Sequence, residues 1–296
     1  MKLASRREMG WAFAALVFGA LAMAMSPMFV RWADVGPLTS AFWRVLLALP
    51  ALYLWMRISE RDLPAAETAK ASFSRPIWFA GLAFAGDLLF WHLSIRTTSV
   101  ANSTFFATTA PVWVVVFGWL IFRQRVGRET LVGLACCLLG GGALLVETLQ
   151  VRPAGAAGDL EGLATGVFFG LYFLAVQAAR RNISAARVTF ESTVITAAVL
   201  FVVAAVAERQ MLPHSWAGAL ALLGMAWVSH AGGQGLLAVA LGRLPATFSS
   251  LVIFLEAIAA AGFAYLLLGE PVSPVQALGG LLIIIGIYVA RPRAKG

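Results

Sequence analysis

The chain has 296 residues, of which 60% are hydrophobic and 12% charged, with a mean hydropathy of +0.85. Soluble domains carry about 25% charged residues, so a single water-soluble core is excluded and a bilayer has to act as solvent. The net charge of +8 is spread over short loops rather than gathered in one patch, which excludes a nucleic-acid footprint.

Ten apolar segments follow along the chain. Each is close to the roughly 20 residues that cross a hydrocarbon core. The first five are Gly10–Val30, Leu38–Met56, Pro76–Ile95, Ser99–Phe122 and Glu129–Glu147. The second five are Leu160–Ala179, Val188–Ala207, Trp216–Leu241, Pro245–Leu268 and Pro274–Ala290. The first segment is too long for a signal peptide, and a second follows it at once. Arg57 to Arg75 is the one long polar loop, and Gln150 to Asp159 reads as a joint between halves. Adjacent Cys136 and Cys137 point in different directions on one helix, which speaks against a disulfide. No His or carboxylate stands near them at ligand spacing, so no metal is expected, and no cofactor either.

Ten spans put both termini on one side. That side then carries roughly seventeen of the 22 basic residues, which makes it cytoplasmic by the positive-inside rule. The stretch Ser99–Ala143 lies without gaps on Pro245–Val289, at a shift of about 146 residues. Ser103 then meets Ser249, Phe117 meets Phe263, Gly133 meets Gly279 and Gly140 meets Gly286. An odd number of spans per half makes the halves enter the membrane in opposite directions. The expected fold is therefore an all-α membrane protein. Its ten transmembrane helices form two inverted five-helix repeats, over residues 1–150 and 151–296.

Motifs in both halves point the same way. The first half has Leu93-Ser94-Ile95-Arg96-Thr97-Thr98-Ser99-Val100-Ala101 and then Pro111 ahead of a basic loop. The second has Ala240-Leu241-Gly242-Arg243-Leu244-Pro245-Ala246, Glu256, and Leu268-Gly269-Glu270-Pro271, followed by Gly279 and Gly286. With these residues the chain resembles the drug/metabolite transporter superfamily, and within it the ten-span EamA-type exporters. It is most similar there to the YddG-like aromatic amino-acid exporters. It departs from the pattern at Ala257, where a proline is usual, and at Arg123-Gln124-Arg125, where a Gly-Glu pair is common. The resemblance implies export from a bacterial-type inner membrane. It makes spans five and ten peripheral, so the chain is a monomer or a homodimer joined through them.

Ionisable groups inside a span are functional candidates by default. Asp87 and Glu256 could meet a substrate ammonium or carry a coupling proton, and His92 or His230 could donate to its carboxylate. The competing reading is that these groups fix helix packing. Asn102, Thr104 and Thr108 in span four, answered by Ser250 in span nine, either line a wet cavity or bond across helices. Phe90, Trp91, Tyr172, Trp227 and Phe254 suit an aromatic or large apolar substrate, or else face lipid. Pro111 removes a backbone bond in mid-span and is the hinge candidate. Gly162, Gly166 and Gly170 allow another helix to come close.

The expected function is secondary-active export of small amphipathic metabolites by alternating access around a central cavity. Amino acids lead, with aromatic ones favoured. No phosphate loop is present, so ATP hydrolysis is not expected. Cationic drugs are rival cargo. Nucleotide sugars would want cations deep in the spans, whereas Arg44 and Arg96 fall near span ends. An intramembrane enzyme would need clustered acid–base or metal groups, and none stands out, so the chain is read as no enzyme.

Overall fold

The computed structural model describes residues 6–61, 72–97, 100–145, 156–268 and 272–292. The middle of the long polar loop, most of the joint between halves and Gly269-Glu270-Pro271 lie outside the described residues, as do the side chains of Asn102 and Thr104. Every regular element described is helical. In the first half these are α1 (Arg6–Met23), α2 (Ser26–Trp32), α3 (Pro37–Leu46), α4 (Leu49–Ser59), α5 (Arg75–Thr97), α6 (Val100–Ala107), α7 (Ala110–Phe122) and α8 (Arg128–Leu145). The second half has α9 (Ala156–Ala179), α10 (Ala185–Ala207) and α11 (Trp216–Gly224), then a π-helical segment, Met225–Gln234. It ends with α12 (Gly235–Leu241), α13 (Ala246–Val252), α14 (Leu255–Leu268) and α15 (Pro274–Ala290).

Seven helical stretches among the described residues are long and apolar enough to cross a membrane, and Pro274–Ala290 is a shorter apolar helix. The run from Trp216 to Leu241, expected as one α-helix, is interrupted by the π segment. Such bulges concentrate at functional sites.

Prolines explain three further breaks. Turns at Ala24–Met25, Leu47–Ala48 and Thr108–Thr109 each lie two and three residues ahead of a proline, namely Pro27, Pro50 and Pro111. The proline ring clashes with the carbonyl four residues back and offers it no amide, so the chain turns there and restarts with proline in its first turn. A fourth break, at Ile253–Phe254, has no such proline: Glu256 stands at that spacing, and Ala257 is the counterpart of Pro111 under the 146-residue shift. The helix breaks anyway, one residue before the place that the shift assigns to the Thr108–Thr109 turn.

The α8–α15 crossing depends on glycine. A Cβ on Gly133 would stand 2.5 Å from the Gly286 carbonyl oxygen, and one on Gly140 would stand 2.5 Å from that of Gly279. The shift of 146 residues exchanges these two contacts, and Cys137, 3.7 Å from the Ile283 carbonyl oxygen, pairs with its own counterpart. The glycine faces of α8 and α15 are thus spent on each other within one chain. On α9, Gly166 leaves room for Thr109 and the Phe106 carbonyl, where α6 turns into α7.

Helices α3 and α4 pack along α10 and are tied to it at both ends. At one end the Glu208 carboxylate accepts from the amides of Leu38 (3.1 Å) and Thr39 (2.9 Å), which satisfies open donors at the start of α3. Nearby, Trp43 Nε1 donates to the Met211 carbonyl at 2.6 Å. At the other end Arg187 joins Glu60, whose side chain is 8% exposed, and the buried Glu191.

Candidate functional site

The broken helices converge. A cavity of about 70 Å³ is bounded by Met23, Ser26 and Pro27 at the α1–α2 turn, and by Arg44 in the last turn of α3. Asp87, Leu88 and Trp91 of α5 line it, with Ala107 and Thr108 at the α6–α7 turn and Thr165 and Phe169 of α9. Gln234, at the end of the π segment, and Ile253 and Glu256 around the α13–α14 turn complete it. A smaller space beside it shares Thr108, Phe169 and Ile253 and adds Pro111, Phe173, Ser250 and Phe254. Irregular backbone at membrane depth is tolerated only where it is buried in protein or lines a cavity. The α1–α2, α6–α7 and α13–α14 turns and the end of the π segment do line one.

The chemistry of the lining is concentrated in a few groups. One guanidinium, Arg44, shares the cavity with two carboxylates, Asp87 and Glu256, giving a formal charge of −1 if all are ionised. None of the salt bridges within 4.0 Å among the described residues joins them. Ser26 Oγ, Arg44 Nε and Gln234 Oε1 are buried without a hydrogen-bond partner, although buried polar groups are nearly always paired.

The residues singled out from sequence separate into groups. Asp87, Trp91, Thr108 and Glu256 line the main cavity; Pro111, Ser250 and Phe254 line the space beside it. The two histidines do not line it. His92 is fully buried and its Nδ1 donates to the Leu88 carbonyl at 2.7 Å, one turn back on its own helix. His230 Nε2 stands 2.9 Å from Thr193 Oγ1, with its ring against Phe84. The Thr193 hydroxyl proton goes to the Thr189 carbonyl, so His230 Nε2 is the donor to Thr193. Phe90 stacks on Phe168, and Tyr172 is packed between Phe84 and Phe169. Trp227 lies on the outside, 54% exposed, and its Nε1 donates to the Leu47 carbonyl in the α3–α4 turn.

Arg44 is the main correction. Its place near the end of a predicted span suggested a residue reaching for the interface, yet it is 5% exposed and lines the cavity. The signal was in the sequence, since Arg44 lies inside the predicted span Leu38–Met56 and falls under the same rule as Asp87. Ser26, Thr165, Phe169 and Gln234 carried no such signal. Among the described residues no group of three or more His, Cys, Asp or Glu could hold a metal.

The model of the EamA-like transporter family matches this chain twice, over residues 10–146 and 156–291. An uncharacterized transporter of Methanothermobacter thermautotrophicus is 19% identical over 201 residues, covering 65% of this chain and 57% of that protein. The chain thus spans little more than half the length of that relative. An uncharacterized transporter of Archaeoglobus fulgidus is 24% identical over 197 residues, covering 67% of this chain and 69% of its own. A crystal structure of a protein 17% identical superposes with a TM-score of 0.80 over 97% of this chain and 98% of the other, a likeness of fold.

Proposed function

The chain belongs to the EamA-like transporter family, and from that premise we propose a secondary-active exporter of small amphipathic metabolites. Amino acids are the favoured cargo, aromatic ones first. The observation that carries this reading is the cavity holding Arg44, Asp87 and Glu256 where three helix turns and the π segment meet. A zwitterion offers a partner to each sign of charge. Trp91 and Phe169 on the lining, with Phe254 beside it, suit an aromatic side chain.

The reading includes ten spans in two inverted repeats, 1–150 and 151–296, with both termini in the cytoplasm of a bacterial-type cell. The double family match and the exchange of glycine contacts under the 146-residue shift support it. At about 10–15 Å³ per water position, the cavity has room for roughly five to seven waters. Ligand pockets usually measure about 300–1,000 Å³. An amino acid therefore enters only when the cavity widens, and the three turns on its wall are where it can do so, with Pro111 as the hinge.

The test is counterflow in proteoliposomes loaded with unlabelled metabolites, following labelled phenylalanine or tryptophan with and without a pH gradient. Uptake driven by internal aromatic amino acids supports the reading. Absence of exchange with every amino acid, from protein shown to be folded, refutes the amino-acid cargo and moves the search to sugars, nucleotides and cationic drugs.

A further inference from the structure

We propose that Arg44 and Ser26 form the subsite that grips the substrate's carboxylate, separate from an ammonium subsite made by Asp87, Glu256 and Gln234. This rests on the amino-acid reading above and assigns its two ends.

Three polar atoms on the cavity wall are buried and unpartnered: Ser26 Oγ, Arg44 Nε and Gln234 Oε1. Their residues are 3%, 5% and 2% exposed, so bulk water does not satisfy them. They sort by chemistry. Arg44 Nε is a donor only, and the Ser26 hydroxyl can donate. Both come from the first half, Ser26 at the start of α2 and Arg44 near the end of α3. A carboxylate is the planar acceptor that a guanidinium and a hydroxyl fit. Gln234 Oε1 accepts only. Its amide nitrogen is already directed at Met23 Sδ, 3.3 Å away, which leaves the oxygen for a donor. It stands with the two carboxylates as an acceptor set for an ammonium.

Charge narrows the ligand further. With Arg44, Asp87 and Glu256 all ionised the cavity stands at −1, and a phosphate dianion would add two more negative charges. A zwitterion adds none. The acid the site takes is therefore a monocarboxylate that carries its own cation. Substrates need a free carboxylate, and decarboxylation or esterification removes the group that Arg44 and Ser26 hold.

The experiment is ligand-induced thermal stabilisation of the purified full chain, titrated with four probes. These are L-phenylalanine, its methyl ester, phenethylamine (no carboxylate) and 3-phenylpropionate (no ammonium). In the unaltered protein, phenylalanine should bind about tenfold or more tighter than phenethylamine or the ester, the usual cost of losing a hydrogen bond to a charged group. Ser26→Ala should narrow that ratio and Arg44→Gln should bring it to near one. A merely structural role would weaken all probes alike. Arg44→Gln strips the only cation from two carboxylates and can fail to fold; Ser26→Ala keeps every charge, and the ester comparison needs no variant.

Phenethylamine or the ester binding as tightly as phenylalanine overturns the carboxylate subsite and leaves a transporter of amphipathic cations standing. Tight phenylpropionate with weak phenylalanine keeps Arg44 and Ser26 in place and refutes the ammonium subsite. Stabilisation by none of the four refutes the amino-acid reading itself, and this assignment with it.

Discussion

Removing Arg187 should expose how much the buried charges at one end of the α4–α10 pair contribute. The guanidinium bonds both Glu60 oxygens through Nε at 3.0 Å, and Nη1 meets Glu191 at 2.8 Å. Side-chain exposures of 11% for Arg187, 8% for Glu60 and 3% for Glu191 place this triad in the buried regime. Breaking such a pair from one side costs about 3–5 kcal/mol, because a charge is left without compensation. Arg187→Met leaves two carboxylates. Each keeps other donors: Ser184 Oγ on Glu60 at 2.6 Å, and Ser72 Oγ and the Phe73 amide on Glu191. The loss should therefore fall near the lower end, about 3 kcal/mol. Replacing all three with Met and two Gln should recover most of it, since a neutral set leaves no orphaned charge. The assay is denaturation of the detergent-solubilised protein with the full mutant cycle. Acid supplies an internal check. Burial pushes the Glu60 carboxyl up, but the hydrogen bonds from Arg187 and Ser184 and the Arg187 charge hold it below its ordinary value of 4.5. A depressed carboxylate contributes stability that is complete above its unfolded value and lost as pH falls through its folded one. In Arg187→Met burial acts without the cation, so Glu60 moves above 4.5 and its contribution is lost as pH rises. The variant's deficit should be largest near neutrality and shrink in acid. A deficit below about 1 kcal/mol, the range of exposed pairs, or one that grows in acid, would refute the reasoning.

Gly140→Leu should destabilise by about 1–3 kcal/mol through overpacking, since its Cβ meets the Gly279 carbonyl at 2.5 Å and Ile283 at 2.9 Å. Gly10→Ala, with nothing within 4 Å of the new Cβ, is the control in the same thermal melt and should show no such loss. Pro111→Leu should leave expression intact and slow counterflow, because it restores the amide missing at the α6–α7 turn beside the cavity; full-speed transport would count against Pro111 as hinge. Trp227→Ala should cost about 1 kcal/mol of stability through the lost bond to the Leu47 carbonyl. It should leave substrate affinity in the binding titration unchanged, since the ring lies on the outside.

Much of this protein is legible in its sequence, for identifiable reasons. Hydrophobicity at this density admits only membrane helices, and prolines at 27, 50 and 111 mark where three of them break. Asp87 and Glu256 announce themselves because ionised groups are costly in lipid, and both line the cavity. The glycine register at 133, 140, 279 and 286 marks a close helix contact before any coordinates are known. What the sequence withholds is rotation. A soluble helix reveals its buried face by its polar one, but a helix apolar all round has no such contrast. Only the tertiary structure therefore turns Arg44 inward to the cavity and Trp227 outward. It also locks His92 onto its own helix and His230 onto Thr193. The same holds for the break at Ile253–Phe254. No residue there forbids a helix, so its position is set by the packing around the cavity rather than by the local chain.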